Sequence, residues 1–259
     1  MTTGHVTTPA AGVLDRLPRF VTLVRCDNPG PMTLDGTNTW VLRAAGESEA
    51  VVIDPGPLDE AHLDRVAERR PVGVVLGTHR HDDHVEGLPR FVELTGARRS
   101  GEVAGLSVTT IPTPGHTADS VCFLVEADGE RVIFTGDTIL GRGTTVVAPP
   151  DGALGPYLDS LELLAAYEGI PALPGHGPAL TDCAAAARFY LAHRKARLDQ
   201  VKDALAAGAK TPADVVAKIY ADVDRSLWPA AEWTVRAQLA YLNADSGESS
   251  SMPPGLDGP

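Results

Sequence analysis

The sequence predicts an α/β fold with two β-sheets in the middle, helices on both outer faces and a small helical appendage. Apolar runs of strand length come in two batches, and helical patterns follow each batch. After residue 183 only helical patterns occur. Hydrophobic residues make up 43% of the 259 positions, which is enough for one large domain and an appendage.

The first batch contains four predicted strands rich in β-branched residues, at positions 20–24, 39–42, 50–53 and 72–77. A loop is predicted over residues 28–36, which are rich in Gly, Pro, Asn and Asp. An amphipathic helix is predicted over residues 59–70, with His62 at the surface, and a short helix over residues 88–94. This alternation is typical of a sheet covered by helices.

The second batch contains strands at positions 106–111, 120–126, 131–135 and 170–173, and the turn Asp128-Gly129 joins its middle pair. One helix, over residues 158–167, precedes the last strand. Three more helices follow, over residues 183–207, from Pro212 onward and over residues 230–242. Thr211 is placed to cap the second of them, with proline in the first helical position. We therefore predict a main domain over residues 1–183, a helical appendage over residues 184–242 and a disordered tail over residues 243–259.

Charge and cysteine usage exclude several classes of protein. The net charge of −12 disfavours a broad basic face for nucleic acid. Residues 184–242 differ from the rest because they carry nine basic and six acidic side chains. The three cysteines are widely spaced, which predicts neither a disulfide framework nor a thiolate metal site. No secretory leader and no apolar run of about 18 residues is visible, so we expect a cytoplasmic protein without a membrane partner.

One stretch, residues 78–84, concentrates metal-binding side chains directly after an apolar strand. His79 and His81 are two residues apart, so on an extended backbone their side chains point the same way. Asp83 and His84 are adjacent, so their side chains diverge. Such a loop can serve two metal ions. Imidazole and carboxylate ligands favour zinc, with iron and manganese as alternatives.

Three further candidate ligands follow predicted strands farther along the chain. His116 lies in Pro-Gly-His-Thr, Asp137 in Thr-Gly-Asp-Thr and His176 in Pro-Gly-His-Gly, and the glycines allow close backbone approach. Taken alone, each motif more often marks a plain turn. Together with the first loop they predict seven ligands: His79, His81 and His116 for one ion, Asp83, His84 and His176 for the other, and Asp137 as the bridge.

The order His-x-His-x-Asp-His, Gly-His, Gly-Asp, Gly-His resembles the metallo-β-lactamase-fold hydrolase superfamily along the whole chain. This resemblance implies a four-layer αββα sandwich with a dinuclear zinc centre between the sheets. Residues 28–39, 139–145 and 174–178 also resemble the lactamase-β-like protein 2 branch. Animal members of that branch are endoribonucleases that prefer single strands and carry a C-terminal winged helix. Residues 184–242 occupy that place here, with a truncated wing hairpin.

Other branches of the superfamily leave different substrates open. Zinc β-lactamases usually have cysteine where Asp137 stands and grip the drug with a lysine, which residues 1–183 lack. Glyoxalase II enzymes share the seven ligands, so thioester hydrolysis is the alternative to RNA cleavage, with weak β-lactamase activity as a side reaction. A nucleic-acid-binding module with an idle metal site is disfavoured, because structural zinc needs only four ligands.

The ligand set predicts a hydrolase that uses a metal-bridging hydroxide on a carbonyl or a phosphorus. Asp137 is expected to bridge the metals, and Asp83 to pass a proton to the leaving group. Asp54 is expected to hold a ligand imidazole from behind, although an Asx-turn is an equally good interpretation.

Three arginines are candidates for substrate binding. Arg142 lies in a glycine-rich loop just after a ligand. Arg194 and Arg197 share a helix face, with Lys202 more loosely, and would form a cationic strip for single-stranded RNA. The alternative is that these cations only solvate the helix. The sequence favours RNA as the substrate, and a small acyl compound is the second candidate.

Overall fold

The structure, a computed structural model that describes residues 10–245, contains two four-stranded sheets. The first sheet has the order β1 (Val21–Arg25), β2 (Asn38–Leu42), β3 (Ala50–Ile53) and β4 (Val72–Leu76). Its first three strands pair antiparallel, whereas β3 and β4 pair in parallel. The second sheet repeats this pattern with β5 (Ser107–Pro112), β6 (Val121–Ala127), β7 (Glu130–Gly136) and β8 (Ala172–Pro174).

In the part of the chain that the structure describes, seven α-helices surround and extend the two sheets. Three follow the first sheet or lie between its strands: α1 (Glu60–Ala67), α2 (Asp82–Val85) and α3 (Leu88–Thr95). The other four are α4 (Leu154–Leu164), α5 (Cys183–Ala206), α6 (Pro212–Ile219) and α7 (Trp228–Asp245). Among residues 10–245, no helix is long and apolar enough to cross a membrane.

Apolar side chains from the two sheets meet in one central core. Trp40 and Phe134 pack with their ring centroids 5.8 Å apart, and Ile53 and Phe123 belong to the same cluster. A second cluster joins α1 and α3 to the outer face of the first sheet. A third joins α4 and α5 to the outer face of the second. Because each sheet is buried on both faces, the predicted four-layer αββα sandwich is confirmed.

The parallel pairs determine where a site can form. Parallel neighbours end at the same edge of a sheet, so the segments after β3 and β4 emerge together, as do those after β7 and β8. The two edges are joined: the Asn38 backbone N–H donates to the Gly175 carbonyl at 2.8 Å, and the Val121 N–H donates to the Thr78 carbonyl at 2.8 Å. All the predicted ligand segments therefore converge on one edge of the sandwich.

The appendage has a small core of its own. Val201 of α5, Val215 of α6 and Val235 of α7 are buried in one cluster, separate from the sheets. Thr211 caps α6 in a capping box with Asp214, as the sequence predicts. The helical appendage is confirmed, and between β8 and residue 245 the described chain contains no further strand.

Several details differ from the sequence pattern or go beyond it. The short helix α2 was not predicted, and α7 begins two residues earlier and reaches Asp245. The first half of α5 packs on the second sheet and its last turns pack in the appendage, so the boundary at residue 183 stays a prediction. The tail expected to be disordered lies outside the described residues from position 246 onward.

Candidate metal centre

The segment that runs from the end of β4 through α2 presents four of the predicted ligands. His81 occupies the position before the first residue of α2, and the single helical turn that follows carries Asp83 and His84. Thr78 fixes the start of the loop, because its backbone N–H and hydroxyl both donate to Asp54 at 2.7 Å. The short helix reverses the chain, so that side chains on both sides of it face one space.

Three histidines form the first candidate group. The His81 Nδ1 atom lies 3.0 Å from the His79 Nε2 atom and 3.0 Å from the His116 Nε2 atom. Ligand atoms at the corners of a zinc tetrahedron are about 3.3 Å apart when the bonds are 2.0–2.1 Å long. The three nitrogens are therefore spaced as ligands of one small cation.

The second group consists of Asp83, His84 and His176. The His176 Nε2 atom lies 3.1 Å from Asp83 Oδ2 and 3.2 Å from His84 Nε2. His84 Nε2 and Asp83 Oδ2 are 3.7 Å apart. Both imidazoles are fully buried, whereas the Asp83 carboxylate is partly open to solvent.

Asp137 lies between the two groups. Its Oδ1 atom is 3.4 Å from His84 Nε2, and its Oδ2 atom is 3.7 Å from His116 Nε2 and 3.5 Å from His176 Nε2. The Oδ1 atom is buried and has no hydrogen-bond partner. An unpaired buried carboxylate oxygen is costly unless a cation contacts it. The donor set and this orphaned oxygen together fit two divalent cations that share Asp137.

The imidazole nitrogens that point away from the site make hydrogen bonds that select the tautomer needed for binding metal. In four of the five histidines the Nδ1 atom faces an oxygen acceptor: Asp54 for His84 at 2.8 Å, the Val146 carbonyl for His116 at 2.8 Å, Thr78 Oγ1 for His79 at 3.1 Å, and the Gly36 carbonyl for His176 at 3.3 Å. An Nδ1–H that donates to oxygen leaves the lone pair on Nε2, and Nε2 is the atom that points into the site.

Asp54 supports the second group from behind. It is fully buried, and its carboxylate accepts three hydrogen bonds, two from Thr78 and one from His84. Its backbone has a φ of +53°, a region that Asp and Asn tolerate better than most residues. These contacts are those of a residue that orients a ligand imidazole, which was one of the two interpretations of the sequence.

The electrostatics of the site are those of closely spaced opposite charges. Burial alone would lower the pKa of His84, but Asp137 and Asp54 raise it well above its ordinary value, so a cation that binds Nε2 would displace a proton from this imidazole. Burial would likewise raise the pKa of Asp137, but His176 and His84 hold it well below its usual range. The Asp137 carboxylate is therefore ionised, which suits a ligand shared by two cations.

Comparison with known proteins agrees with this geometry. The family model described as metallo-beta-lactamase superfamily matches residues 32–104 and 97–176, and the model described as beta-lactamase associated winged helix domain matches residues 211–246. The chain belongs to the metallo-β-lactamase superfamily. Members of this superfamily are hydrolases, and the αββα sandwich with candidate His and Asp ligand groups is what membership implies.

Similar proteins within the superfamily include a member of the predicted branch. The beta-lactamase-like protein 2 homolog of Drosophila melanogaster is 30% identical over 89% of this chain and 90% of its own. The lactamase-like protein aptB of Emericella nidulans is 32% identical over 75% of this chain and 68% of its own. A metallo-beta-lactamase family protein from Thermus thermophilus has the same fold, with a TM-score of 0.71 at 21% identity, over 89% of this chain and 95% of that one.

Two glycines leave space for the candidate ligands and for the residue that holds one of them. A Cβ atom on Gly175 would meet the ring carbon Cε1 of His84 and would lie 2.7 Å from Asp137 Oδ1. A Cβ on Gly136, whose φ is +47°, would lie 2.5 Å from the Thr78 hydroxyl. Side chains at either position would displace a candidate ligand or the residue that holds one.

A cavity of about 290 Å³ opens beside the two metal groups. His116 and Asp137 form one part of its lining. Most of the remaining wall is apolar and comes from the loop over residues 31–34, the loop over residues 140–146, and the appendage, with Val223, Leu227 and Ala231 among its members. The cavity therefore lies between the main domain and the appendage, next to the candidate metal centre.

The three arginines predicted to bind substrate all line this cavity, but the strip expected on the helix is wrong. Arg194 and Arg197 are 2% and 8% exposed, so they cannot form an accessible strip with Lys202. Arg142 forms an exposed ion pair with Asp35. The helical period showed that Arg194 and Arg197 share a face, but the packing of α6 and α7 makes that face interior.

His62 is also placed differently from the sequence expectation of a surface histidine. It is fully buried, with Nε2 2.9 Å from the Thr39 hydroxyl, which itself donates to the Asp54 carbonyl at 2.6 Å. The Arg65 guanidinium lies 3.3 Å from its Nδ1 atom. No sequence signal separated His62 from an ordinary polar helix position, because its partner Thr39 comes from the distant strand β2.

Proposed function

We propose that this protein is a dinuclear zinc hydrolase that cleaves acyl thioesters. The hydrolase class follows from the superfamily, and the seven candidate ligands support two metal ions. The observation that favours a small acyl substrate over RNA is the largely apolar, partly enclosed cavity beside the metal groups. Such a cavity suits an acyl chain, because apolar surface gains free energy when it leaves water.

The cations around the cavity mouth argue against the strong phosphate binding that RNA needs. Arg142, which lines the cavity, is paired with Asp35, and Arg80, which lies between His79 and His81 in the sequence, is paired with Asp151. On α5, Lys195 lies 3.9 Å from Glu162 and Lys202 lies 3.7 Å from Asp199. Sequence-tolerant binding of a single strand depends on cations free to neutralise phosphates. These pairings reduce that capacity.

Each residue of the site has a role in this reaction. Zinc held by these ligands would lower the pKa of a water molecule towards neutrality and so would provide the nucleophile. The oxygen and carbonyl acceptors behind the imidazoles keep each Nε2 directed at the site, and Asp54 does so for His84. Asp83 is the ligand carboxylate that is partly open to the cleft, so it can accept a proton and pass it to the leaving thiolate.

Endoribonuclease activity is the second candidate. Two observations favour it: the match of residues 211–246 to a superfamily-associated winged helix, and the similarity to the Drosophila beta-lactamase-like protein 2 homolog. In this candidate the appendage of residues 184–242 would hold the strand, and Arg142, Arg194 and Arg197 would contact it.

One assay panel on metal-replete protein separates the candidates. The substrates are a pentanoyl thioester, a labelled single-stranded RNA and a chromogenic cephalosporin. We expect the thioester to be hydrolysed with the highest kcat/KM, and zinc chelation to abolish turnover. RNA cleavage with no thioester hydrolysis would reverse the order of the two candidates. Cephalosporin hydrolysis alone would contradict both.

A further inference from the structure

One wall of the cavity carries positive charge in a buried setting. We call it the cationic wall and define it as His193, Arg194 and Arg197 of α5, which all line the cavity. Arg194 and Arg197 are more than nine-tenths buried. Arginine is rarely buried to this degree without a charged partner.

The partners of the two guanidinium groups are neutral. Arg194 donates through Nη2 to the Thr145 carbonyl, stacks over the Tyr157 ring with Cζ 5.2 Å from the centroid, and leaves its buried Nε without a hydrogen-bond partner. Arg197 donates through Nη1 to the Gln200 side chain at 2.9 Å. Its Cζ lies 4.7 Å from the centroid of the ring of Tyr220. Among the side chains that the structure describes, no ion pair joins either guanidinium to a carboxylate within 4.0 Å.

An uncompensated buried charge is expensive, because removing an ion from water costs several kcal/mol unless an opposite charge replaces the lost solvation. This chain has 34 acidic residues, and one of them, Asp35, pairs with the exposed Arg142 at the same cavity. Among the described residues that line the cavity, Asp137 is the one carboxylate, and it faces the metal ligands. The counter-charge for Arg194 and Arg197 is thus left to a molecule that enters the cavity.

His193 completes the wall without adding charge. Burial and the neighbouring Arg194 and Arg197 lower its pKa to about 4, so it is neutral at physiological pH. A neutral imidazole can donate one hydrogen bond to an oxygen while the two guanidinium groups supply the charge. Arginine is also the side chain that best matches the planar oxygens of carboxylate and phosphate.

We propose that the cationic wall is an anion subsite that binds a carboxylate or phosphate group carried by the substrate. Together with the apolar walls, it would make the preferred substrate an acyl thioester with an anionic group in addition to its scissile bond. This proposal rests on the thioester hydrolysis proposed above. The anion could belong to the acyl part or to the thiol part, and both present oxygens that Arg194 can bind.

Three thioesters distinguish these sources. The neutral reference is the pentanoyl thioester of N-acetylcysteamine. The glutaryl thioester of the same thiol places a carboxylate on the acyl side, and the pentanoyl thioester of pantetheine 4′-phosphate places a phosphate on the thiol side. Hydrogen bonds to charged groups predict that wild-type kcat/KM for one of the anionic substrates exceeds that for the neutral reference by at least about tenfold.

Variants on α5 test which residues produce that preference. Arg194→Met removes the charge with little change of volume, and Arg194→Lys restores it. Arg197→Met tests the second guanidinium. Arg188→Gln is the matched control on the same helix, since Arg188 is exposed, pairs with Glu168 at 2.5 Å, and lies outside the cavity.

The expected result is that Arg194→Met reduces the preference to near unity through a higher KM for the anionic substrate. The neutral substrate should keep its kcat/KM within about threefold, and Arg194→Lys and Arg188→Gln should retain most of the preference. A purely structural role through Thr145 would instead lower kcat/KM for all three substrates equally, which would overturn the proposal. Equal wild-type rates on the three substrates would also overturn it.

Calorimetry gives a readout that does not depend on turnover. Glutaramate, which carries one carboxylate, should bind wild-type protein more tightly than neutral pentanamide, or pantetheine 4′-phosphate more tightly than pantetheine. Arg194→Met should abolish the difference while Arg188→Gln preserves it. If no thioester is hydrolysed, the proposed activity fails and this comparison still decides the subsite. If Arg194→Met does not fold, as judged by circular dichroism, Arg197→Met carries the same comparison. Equal binding within both pairs by wild-type protein would contradict the anion subsite.

Discussion

Replacement of Asp54 by asparagine tests how the fold prepares His84 to bind metal. The Asp54 carboxylate accepts three hydrogen bonds of 2.7–2.8 Å, from the Thr78 N–H, the Thr78 hydroxyl and His84 Nδ1. Asparagine is nearly the same shape and tolerates the φ of +53°. It therefore changes the hydrogen-bond pattern without adding backbone strain.

The amide cannot satisfy all three donors. If its NH₂ group faces His84, the imidazole must carry its proton on Nε2, the atom that binds metal. If the NH₂ group turns the other way, it opposes the Thr78 backbone N–H, which cannot rotate. Either way one buried hydrogen bond to a charged acceptor is lost, at a cost of about 1.5–3 kcal/mol. Loss of such a supporting partner typically lowers metal affinity or activity by about 10–100-fold.

The assay is competition for zinc with a chromophoric chelator, together with kcat/KM on the best substrate of the panel. Asp128→Asn is a matched control, because Asp128 also has a positive φ, of +52°, and accepts a backbone hydrogen bond far from the metal groups. We expect Asp54→Asn to lose about 10–100-fold in zinc affinity and Asp128→Asn to match wild type. Wild-type affinity in Asp54→Asn would refute the reasoning.

The following predictions concern single residues. Asp83→Asn can still offer an oxygen ligand but cannot carry a proton, so turnover should fall by at least about tenfold with most metal retained. Asp137→Ala should instead lose metal and activity together. Elemental analysis and steady-state kinetics check both variants, and wild-type turnover in Asp83→Asn would contradict the proton role. Gly175→Ala should release zinc without unfolding the protein, because its methyl group would lie 2.7 Å from Asp137 Oδ1; a variant with full zinc content would contradict this. Burial and Arg65 lower the pKa of His62 from 6.5 to about 4, so the unfolded chain takes up a proton first as the pH falls. As the pH falls between those values, His62 should therefore reduce the free energy of unfolding by at most about 1.4 kcal/mol per pH unit. Chemical denaturation at several pH values checks this, and an equal dependence of the free energy of unfolding on pH in wild type and His62→Gln would contradict it.

Much of the architecture could be predicted because it depends on local patterns. The strands are short β-branched runs, the turn at Asp128-Gly129 is a standard hairpin signal, and Thr211-Pro212 marks the start of α6. The candidate ligands could be predicted for the same reason, because each follows the end of a predicted strand. The structure brings all seven together because β3–β4 and β7–β8 are parallel pairs whose ends meet at one edge.

What could not be predicted depends on packing between distant elements. The spacing of Arg194 and Arg197 indicates a shared helix face, but only the position of α6 and α7 makes that face the wall of a cavity. His62 is buried because Thr39, 23 residues earlier, lies against it. The proposed preference for a small acyl substrate depends on the same packing, because the sequence did not predict that apolar residues of the appendage line a cavity beside the metal groups.

The most direct test of the dinuclear centre is the metal content of the purified protein. Chain purified without chelators and analysed by elemental mass spectrometry should contain close to two zinc ions per protomer. The Asp137→Ala variant, which lacks the shared carboxylate, should contain one or fewer. A reproducible single ion in the wild-type protein, unchanged after incubation with excess zinc, would contradict the account.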